Sequence, residues 1–184
     1  MNPKERRINL LDRMVELEST GLDCSQCSGK CCTYEANSMM TTPSETRELL
    51  IFLKENQLWT TELIEKINVA IKTYRLDQNI SFGKKTLLRR TYTCPFFNHG
   101  EYGCPLPREV KPYGCLAFNS HHPTEKASEH CYSETDLLEK REKIDPNEFS
   151  ENEELKMKFH LWWDKLPLPY ALIELNKSMS MIKN

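Results

Sequence analysis

The chain has no apolar run long enough for a signal peptide or a membrane span. Its opening, "MNPKERRINLLDRMVELE", sets charges every few residues, whereas a helical span needs about 20 apolar residues in succession. The expectation is a soluble cytoplasmic protein with no membrane partner. An excess of either charge is also missing: 25 Lys and Arg stand against 27 Asp and Glu, so bulk electrostatics gives no reason to expect nucleic acid as a partner. No Gly-rich nucleotide loop, internal repeat or low-complexity tract interrupts the chain. With 39% hydrophobic residues over 184 positions, one domain with a modest core is expected.

What the chain does have is cysteine, eight residues in two groups: Cys24, Cys27, Cys31 and Cys32, then Cys94, Cys104, Cys115 and Cys131. A reducing cytosol disfavours structural disulfides, and the cysteine density is about half that of a short disulfide scaffold. Metal ligation or thiol chemistry is the leading class. The step "CSQC" lets two sulfurs converge on one centre because a tight turn brings them to the same side. Gly29 then offers a positive φ angle before the adjacent pair Cys31 and Cys32, whose side chains point in different directions and so suit different roles. These are two centres, or one ligand and one packed or reactive thiol, with a vicinal disulfide as a lesser alternative. In the second group, proline directly follows Cys94 and Cys104 and glycine directly precedes Cys104 and Cys115, rigid punctuation that suits metal loops. Eight thiols suffice for two tetrathiolate zinc sites or for one iron-sulfur cluster with further ligands.

Around these groups the periodicity is helical. Asn2 and Pro3 open a first helix whose stripe would comprise Ile8, Leu11 and Val15 with Leu10, Met14 and Leu17, and Gly21 stops it. Thr42, Pro43 and Glu45 form a capping box before a helix over about 43–57. "TTELIEKINVAIKTYRL" gives another, with Leu63, Ile67, Ala70, Ile71 and Tyr74 on one side. Residues 77–93 suggest a short hairpin or an extended entry. Residues 94–131, rich in Pro, Gly, Asn and His, show no sustained period and need something other than apolar packing to hold them. Ser133 with Asp136 is expected to open a short helix that Pro146 ends. Ser150 with Glu153 is expected to cap another that runs through "ELKMKFHLWWDKL", and a terminal helix should follow "LPLPY". The fold class expected is mainly α, with an irregular cysteine-rich metal-binding centre and at most a few short strands. The organisation is one domain over 1–184, with a cysteine-cluster region at 22–131 and a C-terminal helical extension at 133–184.

The run "CSQCSGKCC", the T-x-x-E helix start after it and the later cysteines with "KPYGC" together resemble the YkgJ-like cysteine-cluster family, the CxxCxxCC zinc- or iron-chelating domain, over roughly residues 22–120. The resemblance implies that Cys24, Cys27, Cys31, Cys32, Cys94, Cys104 and Cys115 are ligands of a metal or cluster. Cys131 lies outside the pattern and joins the set by thiol counting alone. Where the family usually shows "RP" followed closely by "CR" and a proline-ended aromatic step, this chain reads "KPYGCLAF", with Lys111, Leu116 and no proline. The resemblance extends to the enzyme that methylates flagellin lysines, an iron-sulfur protein, and makes an iron-sulfur-dependent protein-modifying enzyme the alternative to a metal-binding module. Cys24, Cys27 and Cys31 run C-x2-C-x3-C, the reverse of the order expected for S-adenosylmethionine radical chemistry.

Weaker signals complete the picture. His121, His122 and His130 neighbour the second cysteine group and could replace a thiol, although solvent-facing loop histidine is the plainer account. A hydrolytic zinc centre would want fewer thiolates and an open water position. Lys84, Lys85, Arg89 and Arg90 beside Tyr92, Phe96 and Phe97 could touch nucleic acid, with a solvated basic turn the plainer account. Trp162 and Trp163, taken as neighbours on a helix, cannot both face inward, so one could meet a protein partner. The function expected is that of a metal-binding protein holding zinc or an iron-sulfur cluster, with a redox, sensing or scaffold role open.

Overall fold

The computed structural model describes residues 1–22, 29–78, 81–82, 86–87, 90–120 and 131–182. It is mainly helical, with 56% helix and only short antiparallel strands, as the sequence pattern leads one to expect. The first helical segment is broken in two, α1 over Pro3–Arg6 and α2 over Ile8–Ser19, with Arg7 between them outside helical geometry. The Asn2 side chain accepts from Glu5 N–H while the Glu5 carboxylate accepts from Asn2 N–H, so α1 carries its own capping box. The core face of α2 is Leu10, Met14 and Leu17. Ile8 and Val15, expected in the stripe, are exposed, because the row at i, i+4 and i+7 from Leu10 wins the buried side of a 3.6-residue helix.

α3 runs over Pro43–Glu55 behind the expected capping box, Thr42 with Glu45. α4 follows over Thr61–Tyr74, capped by the Thr60 hydroxyl and ended by Arg75 in the left-handed region. Leu49, Leu50 and Leu53 of α3 and Ile67 of α4 are fully buried, each side chain stabilising by about 1.5–3 kcal/mol relative to exposure. They share one core with Leu155 and Phe159 of α7 (Glu148–Phe159) and with Leu168, Ala171, Leu172 and Leu175 of α8 (Leu168–Met181). The C-terminal helices therefore pack against the same apolar surface as α3 and α4.

Three two-stranded pairs tie the irregular segments down. β1 (Met40–Thr41) pairs with β6 (Leu166–Pro167), fixing the entry to α3 beside the entry to α8. β2 (Ser81–Phe82) pairs with β3 (Thr86–Leu87) as the expected hairpin. β4 (Phe118–Ser120) pairs with β5 (Cys131–Ser133). Between them lie a 3-10 turn at Arg108–Val110 and the one-turn helix α5 over Tyr113–Leu116. α5 joins α2 and α6 (Thr135–Glu142) in a second apolar cluster of Leu10, Met14, Tyr113, Leu116 and Ala117, with Leu137 and Leu138 against it.

Four expectations at the C-terminal end are corrected. Ser133 does not open α6, since β5 claims it and Glu134 is the preceding residue. The Ser150 and Glu153 capping box does not form, because α7 already starts at Glu148 and puts Ser150 inside the helix. That helix ends at Phe159, with His160 at φ +52°, so Trp162 and Trp163 are not helical neighbours. Along this non-helical stretch Trp163 turns inward and is buried while Trp162 stays exposed. α8 begins at Leu168, within "LPLPY" rather than after it, because Pro169 fits a first turn. No helix among the described residues is long and apolar enough to cross a membrane.

A buried charge network links the helices. Arg6 pairs with Glu48, Asp145 and Glu151, and Arg7 donates to Glu48 at 2.6 Å and to the Pro3 carbonyl at 2.8 Å. Arg141 pairs with Glu148, which accepts from the Ser44 hydroxyl in α3. Truncating one partner of a buried pair costs about 3–5 kcal/mol, because the other charge is left uncompensated. Glu48→Gln, which strips Arg7 of its carboxylate, is expected to destabilise the protein by that amount in urea unfolding followed by tryptophan fluorescence; a change under about 1 kcal/mol would mean that the pair contributes as little as a surface one.

Candidate metal centre

The two cysteine groups meet through backbone. After the segment 23–28, which lies outside the described residues and contains Cys24 and Cys27, Lys30–Cys32 makes a 3-10 turn closed by Cys32 N–H donating to Gly29 O at 2.7 Å. Cys94 N–H donates to Cys32 O at 2.7 Å, Tyr34 N–H to the Thr93 hydroxyl at 3.2 Å, and Tyr92 N–H to Asn37 O at 2.9 Å. The chain leaving the first group thus lies alongside the chain entering the second. Gly29 permits the approach: its φ is +75°, and a Cβ there would stand 2.8 Å from the Phe97 ring.

Cys94 and Cys104 pack, half-buried, against the main core, while Cys115 is carried by α5 beside Leu116 of the second cluster. The thiols are close enough to feel one another's charge. Burial pushes the Cys94 thiol up to about 12, against a hydrogen bond from the Phe96 backbone, and Cys104 and Cys31 add to the rise. Burial also raises Cys115, followed by Cys94, Cys104 and Cys31. Cys115 keeps solvent contact, which tempers the size of that rise without changing its direction. A hydrogen bond with the Cys32 side chain is the first cause raising Cys31, ahead of burial. Lys111 acts the other way on Cys31, Cys94 and Cys115.

Tyr92 forms a wall of this neighbourhood. It is fully buried, and its hydroxyl donates to Met39 O at 2.7 Å and accepts from Leu168 N–H at 3.3 Å. Burial raises its phenol well above the ordinary value, with Cys94 and Cys115 reinforcing the shift. Met39 in turn lies over Gly114, where a Cβ would stand 2.7 Å from the thioether methyl and would push that flexible end aside. Tyr92 and Phe96 face the interior and offer no stacking surface for a nucleic-acid base. Arg90 donates to the carbonyls of Tyr74 and Arg75 at the end of α4. Lys84, Lys85 and Arg89 lie outside the described residues, as do His121, His122 and His130.

Of the expected ligands, Cys31, Cys32, Cys94, Cys104 and Cys115 are brought into one region, and Cys131 begins β5 opposite Ser120. The arrangement is a neighbourhood and not a coordination sphere: among the described residues no three His, Cys, Asp or Glu side chains are grouped closely enough to hold a metal ion. An all-sulfur donor set suits zinc or iron-sulfur clusters and not the oxygen-seeking magnesium or calcium. Sequence reasoning missed Lys111 as a cation acting on the thiols, Tyr92 as a buried phenol whose shift they reinforce, and Met39 over Gly114. The tight "KPYGC" spacing carried the only signal, for Lys111. No protein-family model, curated protein or solved structure matches the chain.

Gly29→Ala should cost about 1–3 kcal/mol, the range for a non-glycine residue held in the left-handed region, and should weaken amide protection at Cys32 and Cys94. Exchange rates at those two amides unchanged from wild type would deny that Gly29 sets the contact between the two cysteine groups.

Proposed function

We propose that the protein binds metal through its cysteines, holding zinc or an iron-sulfur cluster with Cys31, Cys94, Cys104 and Cys115 as central donors and with Cys24, Cys27, Cys32 and Cys131 as the remaining candidates. The observation that carries the reading is the backbone junction that lays Cys31 and Cys32 beside Cys94, with Cys94 and Cys104 on one apolar surface and Cys115 on the turn α5 that follows. The chemistry of the donors supports it too, since thiolate-bound metal can supply folding free energy on the order of 10 kcal/mol. Bound zinc would cross-link these turns, and an iron-sulfur cluster would add electron transfer. The chain's own residues set the surroundings: Tyr92 excludes water from one side, and Lys111 offsets thiolate charge.

Anaerobic purification with iron, zinc and acid-labile sulfide measured on one sample is the test. The expected result is thiol-bound metal near one or two equivalents per chain by the ligand count of tetrathiolate sites, and its loss in Cys94→Ser and in the double variant Cys31→Ser, Cys32→Ser. Wild-type protein that stays metal-free after anaerobic reconstitution with zinc and with iron plus sulfide would overturn the reading. Full metal content in both variants would do so as well.

A further inference from the structure

We propose that Glu45 is a positioning residue for Cys115, clamping the donor's turn from the start of α3; the inference rests on the metal-thiolate reading above. Glu45 is almost fully buried, and its two carboxylate oxygens serve different elements. One oxygen accepts from Thr42 N–H at 2.9 Å and from the Thr42 hydroxyl at 3.0 Å, which closes the α3 capping box. The other accepts from Tyr113 N–H at 2.8 Å, at the first residue of α5 and two positions before Cys115. A local capping box therefore doubles as the tertiary anchor of a cysteine-bearing turn.

The clamp has a second jaw. Arg7, fully buried, donates from Nε to the Lys111 carbonyl at 2.8 Å, and its guanidinium lies over the Tyr113 ring at 4.8 Å while Arg141 lies over the same ring at 3.8 Å. Residues 111–113 are thus held at both ends, and Cys115 N–H continues the turn onto Pro112 O at 2.9 Å. A helix of four residues has no stability of its own, because a first turn fixes several dihedral angles for one hydrogen bond. The carboxylate orders α5 together with Arg7 and the burial of Tyr113 and Leu116. Glutamine at position 45 would offer one acceptor oxygen and an amide donor, so it could not accept from Thr42 and Tyr113 together.

Outer-shell partners of metal ligands typically change affinity by about 10- to 100-fold when replaced. The experiment loads wild type, Glu45→Gln, Thr42→Ala and Cys115→Ser anaerobically with cobalt(II) and records the sulfur-to-cobalt charge-transfer and d–d bands together with cobalt retention against a chelator. Glu45→Gln is expected to bind cobalt about 10- to 100-fold more weakly and to shift its bands towards those of Cys115→Ser. Thr42→Ala, which removes the cap hydroxyl but keeps the Thr42 and Tyr113 N–H groups for Glu45 to accept from, is expected to lower Tm and keep the wild-type spectrum. Glu45→Gln with wild-type bands and retention but lower Tm would reduce Glu45 to a structural cap and overturn the inference, as would an equal spectral shift in Thr42→Ala. Wild type that fails to bind cobalt would instead sink the metal-thiolate reading, and this inference with it. If Glu45→Gln does not fold, amide exchange at Tyr113 in wild type decides: zinc should slow it, and exchange indifferent to zinc would overturn the clamp.

Discussion

The Arg7 guanidinium, fully buried between α1 and α2, reaches the Pro3 carbonyl, the Glu48 carboxylate and the Lys111 carbonyl while lying over the Tyr113 ring. Few side chains could join so many segments, because only guanidinium offers several planar donors and a face that stacks on an aromatic ring. Arg6 extends the network to α7 and Asp145, and Arg141 closes it onto Glu148. The cost is visible at Glu48, whose carboxyl is raised because burial outweighs the pull of Arg7 and Arg6. A network of this kind contributes less by its net energy than by the penalty for any other arrangement, in which one of these charges would be buried alone. That constraint sets where α5 sits, and α5 carries Cys115.

The thiol neighbourhood inherits its order from this network on one side and from the main core on the other. Cys94 and Cys104 rest on apolar packing with Phe96 and Leu106, a surface that tolerates small shifts. Cys115 rests on hydrogen bonds and charge, which are directional and tolerate less. The two supports meet where Cys94 N–H bonds to Cys32 O, so the first cysteine group is tied to the core side of the site. Motion of α5 relative to the core would therefore change the spacing of Cys115 from the other thiols before anything else.

How much of this was legible in the sequence depended on the range of the interaction involved. The helix start at Asn2 and Pro3 and the capping box at Thr42 with Glu45 were readable because the partners lie within four residues of one another. The motif at Ser150 with Glu153 has the same spelling and fails, since Asn147 and Glu148 start the helix one turn earlier and Glu148 is held by Arg141 and Ser44. The tryptophan pair was misjudged for a related reason. Helical periodicity continues through "FHLWW" as a pattern, yet His160 turns into the left-handed region and only Trp163 enters the core. The lack of a sustained period over 94–131 suggested that this stretch could not pack by itself, yet Phe96, Leu106 and Val110 enter the main core and Tyr113 and Leu116 the second one, because isolated apolar residues between turns can reach a core without any period. The contacts that tie the cysteine groups in place were not legible: one backbone bond at Cys94, a glycine beside Phe97, and a capping glutamate that also reaches Tyr113.

Charge explains why such a neighbourhood is incomplete as thiols alone. Each thiol raised by burial favours its protonated form, because a thiolate among packed side chains loses the solvation that water would give it. Lys111 is the cation that lowers Cys31, Cys94 and Cys115, and one ammonium can offset only one thiolate. Four thiolates in this place would leave an excess of negative charge that burial penalises heavily. Burial favours the protonated form of Cys94 and Cys115, and a hydrogen bond with Cys32 does the same for Cys31. On the metal-thiolate reading, a divalent metal or a cationic iron-sulfur core would reverse the balance, because its charge would be the largest in the site and would make deprotonation of the surrounding thiols favourable. On that reading, the same burial that holds the thiols neutral is what makes a compact, highly charged ion the partner that completes them.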